Sequence, residues 1–318
     1  MIKKTLFILF ALVVIFYVRG VSAVDATSIT VYPTIQDIKV TSGIEIRTQI
    51  NFRNGGNKTL MGNIKVADYE VIDKQGSIRL IENENMKPKY AASSWLTLLD
   101  DFIAIPKGET VPVTIVIIPP PDLTACGYYS LVYFQPSEKS ELDYLNVSTK
   151  IGGFLNFIVD NKTCNEKISI THVDTPTFLE NGPIPIAFAL LNQGDIHLTP
   201  SGFISASDIL KQFVDQKSIK EMKIFPEKEK EYSASVGKKW MFGRYKILIN
   251  VSYGLTVPKT ISKIVYVWVF PWKIFILILL ALIVFYLFIK HLYRVTNHKQ
   301  IKGRSNVDTL KEQISKRE

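Results

Sequence analysis

Cysteine and histidine are scarce in this chain, two and four in 318 residues. His291 and His298 lie in a basic C-terminal segment, leaving only His172 and His197 for chemistry in the body of the protein. Neither falls in HExxH or at ligand spacing from a cysteine, so no zinc donor set can be read. A GxSxG elbow, a Walker loop and EF-hand spacing are missing too. The sequence therefore predicts no catalytic, cofactor-binding or metal-binding residues, no cofactor and no small-molecule substrate. An extracytoplasmic enzyme assembled from distant residues stays open as a lesser alternative. Helical 3.6-residue periodicity is missing between the two apolar ends, except that Asp208–Asp215 is long enough for a helical turn.

What is abundant is apolar sequence, 47% of the chain, with two concentrated runs. Residues 1–23 carry Lys3 and Lys4, the run Leu6–Tyr17 and the ending Val21-Ser22-Ala23, the layout of a secretory signal peptide. An uncleaved N-terminal anchor is the competing reading. Pro271 to Arg294 (PWKIFILILLALIVFYLFIKHLYR) contains the unbroken apolar run Ile274–Ile289. A bilayer core needs about 20 mostly apolar residues as a helix, which predicts a transmembrane helix over 271–291. Trp272, Lys273, Lys290, Tyr293 and Arg294 then stand at the two membrane interfaces as aromatic belt and snorkelling cations. A buried core helix would show a polar stripe, and this run has none.

The formal charge of +9 sits mostly at the ends. The segment from Lys290 to Glu318 has eight Lys/Arg against three Asp/Glu, and the signal adds Lys3, Lys4 and Arg19. Taking +5 and +3 from +9 leaves +1 for residues 24–289. That pattern argues against nucleic-acid binding and follows the positive-inside rule. It predicts a plasma-membrane protein of type I topology, with residues 24–270 extracytoplasmic and 292–318 a basic cytoplasmic tail. The tail either touches anionic lipid or is simply solvated.

Between the apolar runs the period is two. Ile44, Ile46, Ile50 and Phe52 alternate with polar residues before an Asn54-Gly55-Gly56-Asn57 turn. Ile64–Ile72, Ile78–Ile81, Phe102–Ile105, Thr110–Ile118, Tyr128–Phe134 and Val147–Val159 follow. In DDFIAIPKGETVPVTIVIIP, Asp100 and Asp101 are strand neighbours pointing to opposite faces, not an acid pair. Ile105-Pro106-Lys107-Gly108 suits a type I turn, and Pro112 places the start of the next strand at a sheet edge. A second set runs Ile168–Val173, Ile184–Leu191, Phe203–Ser207, Ile219–Ile224, Glu229–Val236, Tyr245–Val251 and Ile261–Phe270. The expectation is an all-β fold of two tandem immunoglobulin-like β-sandwich domains, 24–165 and 166–270, followed by one C-terminal transmembrane helix. If the strands after Cys126 and before Cys164 pair as a hairpin, these cysteines share one sheet edge within disulfide reach, in an oxidising compartment. Sequons at Asn57, Asn146, Asn161 and Asn250 are glycosylation acceptors only where a host supplies the machinery.

Several segments together resemble the bacterial WxL-interacting protein family: Ser94-Trp95, Phe102–Glu109, Val111–Pro119, Gly127-Tyr128-Tyr129, Leu191–Leu198 with Ser201-Gly202, Phe242–Tyr245, Tyr253-Gly254 and Trp268–Trp272. Cys126 departs from that pattern. The resemblance implies tandem sandwiches at a cell surface and peptidoglycan binding, but transfers no ligand residue. The leading expectation is a non-catalytic, single-pass surface protein that binds cell-wall polymer or another surface protein. The alternative is a chaperone-like assembly subunit acting through an edge strand. For that role a long, uncharged, proline-free strand is wanted, and the candidate Ser28–Val40 contains Pro33 and charges.

Overall fold

The computed structural model describes residues 28–82, 87–137, 150–160 and 162–315, with side chains through residue 294. The signal-peptide reading of 1–23 and the sequons Asn146 and Asn161 lie outside the described residues.

The first ten strands build one sandwich. One sheet has the order β1 (Ile29–Tyr32), β3 (Ile46–Asn54), β8 (Thr110–Ile117), β6 (Leu96–Leu98). The other runs β2 (Ile35–Val40), β10 (Ile151–Val159), β9 (Gly127–Pro136), β4 (Leu60–Val71), β5 (Ile78–Ile81). In it β7 (Phe102–Ile105) also pairs with β4. The alternating residues meet between the sheets: Ile50, Phe52, Ile105, Ile115, Ile117, Phe134, Leu155 and Phe157 are each under 2% exposed. Burial of this kind stabilises by roughly 1.5–3 kcal/mol per large side chain.

The next strands form a three-stranded sheet, β11 (Ile168–Asp174), β13 (Ile184–Asn192), β16 (Glu229–Val236). A five-stranded sheet orders β12 (Phe178–Leu179), β18 (Lys259–Val269), β17 (Gly243–Tyr253), β14 (Ser201–Ser207), β15 (Phe213–Ser218). The chain divides into two compact units. Met1–Ser169 groups with Leu191–Thr199 and Lys223–Lys230, and the remaining residues form the second unit. A single helix, α1 (Trp272–Ser315), ends the described chain; its Trp272–Arg294 part is long and apolar enough to cross a membrane, with none of it buried against protein.

Three local devices occur once in each strand set, marking both as copies of one immunoglobulin-like plan. A short strand runs parallel to the last strand of its set, β2 beside β10 and β12 beside β18. A tyrosine at the start of the penultimate long strand bonds back to upstream main chain. Tyr128 Oη accepts from the N–H of Thr124 and Ala125, and Tyr245 Oη accepts from Phe242 N–H. This is the tyrosine corner of immunoglobulin-like domains. The third is an asparagine corner. Asn54 Nδ2 donates to the carbonyls of Lys58 and Ile105, and its Oδ1 accepts from Gly56 N–H. Asn192 repeats this with Ile196, Ile224 and Gly194. Both asparagines are fully buried.

Several expectations change. The turn after β7 is Pro106–Glu109, because Glu109 N–H bonds to the Pro106 carbonyl; Gly108 thus takes the third position with φ +75°, which a type I turn does not require. The strands flanking it belong to different sheets. Pro112 lies opposite Asn51 of β3, while on the other side β6 covers only Ile115–Ile117, so Pro112 does face an unpaired edge. Ser28–Val40 is two strands in two sheets, since Pro33 offers no ladder N–H. Asp208–Asp215 is no helical turn. It holds the β14–β15 turn, closed by Lys211 N–H on the Asp208 carbonyl with Lys211 at φ +63°, and it opens β15. Ile219–Ile224 is not a strand: its buried isoleucines bond by main chain to Gly202 and Leu198 instead.

Candidate functional site

The strand β9 reads GYYSLVYFQP, with no polar alternation over its first eight residues, and all eight are buried. The reason is that both faces are covered. Tyr128, Val132 and Phe134 face the sandwich core, while Tyr129, Leu131 and Tyr133 join Ala67 and Tyr69 in a second apolar layer on the outer face. Phe154 and Phe225 complete that layer, the Phe225 ring lying 4.8 Å from Tyr129 and 5.8 Å from Tyr69.

Set into this layer is a polar cluster. His197 Nδ1 lies 3.2 Å from Tyr129 Oη, and His197 Nε2 is 3.6 Å from Asp37 Oδ1. The same carboxylate accepts from Asn156 Nδ2 at 2.7 Å and from Lys223 Nζ at 2.5 Å, and Tyr69 Oη donates to Asn156 Oδ1 at 2.6 Å. Burial works to raise Asp37; the hydrogen bonds from Lys223 and Asn156, with the charges of Lys223 and His197, outweigh it and hold the carboxyl below its usual range. Burial, helped by the Lys223 charge and opposed by Asp37, pushes His197 down to about 4. His197 is therefore neutral near pH 7, and its contact with Asp37 is not an ion pair. Burial foremost, with neighbouring Tyr69, pushes the Tyr129 hydroxyl well above its ordinary value.

A Tyr–His–Asp line has the outline of a proton relay, but only its Asp37 end, 47% exposed, reaches solvent, while the Tyr–His end is sealed. His197 and Tyr129 are 3% and 4% exposed. A relay needs a substrate atom within hydrogen-bond reach, and the inner face of this one is rings. What the cluster does chemically is tie 191–199 and 223–230 to the β2–β10–β9 sheet. Backbone bonds reinforce it: Gly127 N–H to Asp195 O, Gln193 N–H to Lys167 O and Asp195 N–H to Asn165 O. A Cβ on Gly194 would stand 2.1 Å from the Asn165 carbonyl, so the approach needs glycine there.

Cys126 and Cys164 are joined in a disulfide, with Cα atoms 5.5 Å apart. Hairpin pairing brings them together: β9 and β10 are antiparallel neighbours, with Ile158 opposite Gly127. Asn57 is exposed in the β3–β4 loop, whereas Asn250 sits mid-strand in β17 between Phe203 and Ser262, half-buried on the outer face. Trp272 begins α1, Lys273 pairs with Glu180 at 2.6 Å, and Lys290, Tyr293 and Arg294 are exposed at the far end of the apolar span. Among the described residues no group of His, Cys, Asp and Glu has metal-ligand spacing.

One surface feature is not legible in the sequence. The edge strand β7 (FIAI) has neither charge nor proline and, among the described residues, pairs only with β4, Ala104 opposite Met61 and Phe102 opposite Asn63. Asp101 O accepts from Ile64 N–H, so the antiparallel alternation turns the main chain of Phe102 and Ala104 away from β4. Beside this free edge, Met61, Leu99 and Phe102 are 48%, 58% and 52% exposed. A four-residue strand is too short to announce its edge position by periodicity.

No family model and no curated protein matches the sequence. Among solved structures the chain is similar to the class 5 fimbriae chaperone CfaA, at 14% identity and TM-score 0.40, over 74% of this chain and 98% of that one. The E. coli chaperone DraB matches at 10% identity and TM-score 0.38, over 74% and 98%. The Pseudomonas aeruginosa CupB2 chaperone matches at 8% and 0.36, over 74% and 99%.

Proposed function

We propose that this chain is a non-catalytic, single-pass surface protein of type I topology that assembles with another surface protein by strand addition at β7. The observation that carries the reading is the β7 edge, only four residues long but uncharged, proline-free, unpaired on its far side among the described residues and flanked by exposed Met61, Leu99 and Phe102. Natural sheets guard edges with short strands, charge or proline; β7 has the first guard and lacks the other two, and an incoming strand gains main-chain hydrogen bonds plus pockets for alternate side chains. The apolar 23-residue span and the basic residues after it support anchoring with the sandwiches outside.

The test uses the full chain in detergent with solubilised surface proteins and, separately, with purified cell-wall sacculi. Wild type is expected to retain a discrete protein, and Phe102→Lys, which places a charge beside the edge at a half-exposed position, to lose it while remaining folded. Saturable retention on sacculi unaffected by Phe102→Lys, with no protein captured, would replace this reading with wall-polymer binding, the ligand implied by the WxL-interacting resemblance.

A further inference from the structure

The loop between β16 and β17, Gly237-Lys238-Lys239-Trp240-Met241-Phe242, is built to present aromatic side chains rather than hide them. Its main chain is fixed. Gly237 N–H bonds to Asp215 Oδ2 at 2.9 Å, the Lys239 carbonyl accepts from Gly182 N–H at 3.1 Å, and Phe242 N–H bonds to Tyr245 Oη at 3.0 Å. Met241 is buried at 6% and pins the loop to its sandwich. On either side of it, Trp240 and Phe242 are 67% and 70% exposed. Two large aromatics held outward on a rigid loop are costly in water and call for a cover.

Their place beside α1 identifies that cover. The Phe242 ring is 5.5 Å from Phe270, and Phe270 is 5.6 Å from Phe275 in the first turn of the apolar span. The rings thus run without a break from the loop to the level where that helix enters its apolar surroundings. Trp272 lies at this level, and Lys273 is tied to Glu180 of the same unit. The loop cations Lys238 and Lys239 are exposed, with Lys239 Nζ 5.9 Å above the Trp240 ring. Aromatics at the apolar boundary with lysines reaching outward is the chemistry of a bilayer interface.

We propose that Gly237–Phe242 is a second membrane contact, in which Trp240 and Phe242 insert into the headgroup–acyl boundary beside α1. This rests on the reading of Trp272–Arg294 as the membrane anchor. With the loop inserted, the second unit is held at two points on the bilayer and cannot swing freely about the chain at Pro271.

The test is tryptophan quenching in the full chain, reconstituted into phosphatidylcholine–phosphatidylglycerol vesicles with brominated acyl chains. Trp240→Phe is expected to remove a lipid-quenched component comparable to that removed by Trp272→Phe. Phe242→Ser, with Trp240 kept, should lower quenching of Trp240. Both positions are exposed, so neither variant opens the core. The proposal is overturned if Trp240→Phe leaves lipid-quenched emission unchanged and instead removes a component quenched by aqueous iodide. Failure of the chain to float with the vesicles would overturn the anchor reading itself, an outcome separate from an inserted helix with a solvated loop.

Discussion

Asn54 and Asn192 each satisfy two carbonyls and one amide from inside a fully buried position. Removing either side chain strands those groups, so Asn54→Ala and Asn192→Ala should each lower unfolding free energy by about 2–3 kcal/mol in urea titration. A loss below roughly 0.5 kcal/mol would mean water replaces the amide. His197 makes a pH prediction. Its folded pKa of about 4 lies below the ordinary 6.5, so the unfolded chain takes up the proton first. Stability is therefore fully present above about pH 6.5 and declines as pH falls towards 4, by at most roughly 3 kcal/mol. Asp37, also depressed, adds loss in the same direction at still lower pH. The urea midpoint of His197→Gln should be nearly flat between about pH 6.5 and 4.5, where wild type declines. None of this was legible from sequence: Asp37 and His197 are far apart along the chain, and a lone histidine carries no partner signal.

At the scale of elements, period-two patterning located most long strands, because one buried face per strand is enough to enforce alternation. It failed where the main chain is committed elsewhere, as at Ile219–Ile224, while β9, covered on both faces and so without alternation, was still legible as the run Tyr128–Phe134. The turn at Gly108 shifted by one residue because the Asn54 carbonyl accepts Gly108 N–H, a tertiary contact that propensity does not encode. Cysteine placement was legible because a hairpin sets which strand ends meet. The disulfide spans a sequence separation of 38, and on chain-entropy grounds Cys126→Ser with Cys164→Ser should cost about 2–4 kcal/mol. Thermal melts with and without reductant check this: an unchanged midpoint would mean that the disulfide contributes nothing to stability.

For the whole molecule, two copies of one sandwich plan precede the apolar helix α1, and the polar cluster that most resembles chemistry has its Tyr129–His197 end buried and meets solvent at Asp37. Alkaline carbonate extraction should leave the full chain in the membrane pellet and release a chain ending at Phe270. The architecture was readable from charge and periodicity, while the edge position of β7 was not, because it follows only from the sheet order. The most direct test of that edge is a photo-crosslinking residue at Ala104 in the full chain at the native cell surface, with Asn250 as a control position. A discrete protein adduct from position 104, lost with Phe102→Lys and absent from position 250, is the predicted result. No protein adduct from position 104, with the chain held on wall polymer, would contradict assembly at β7.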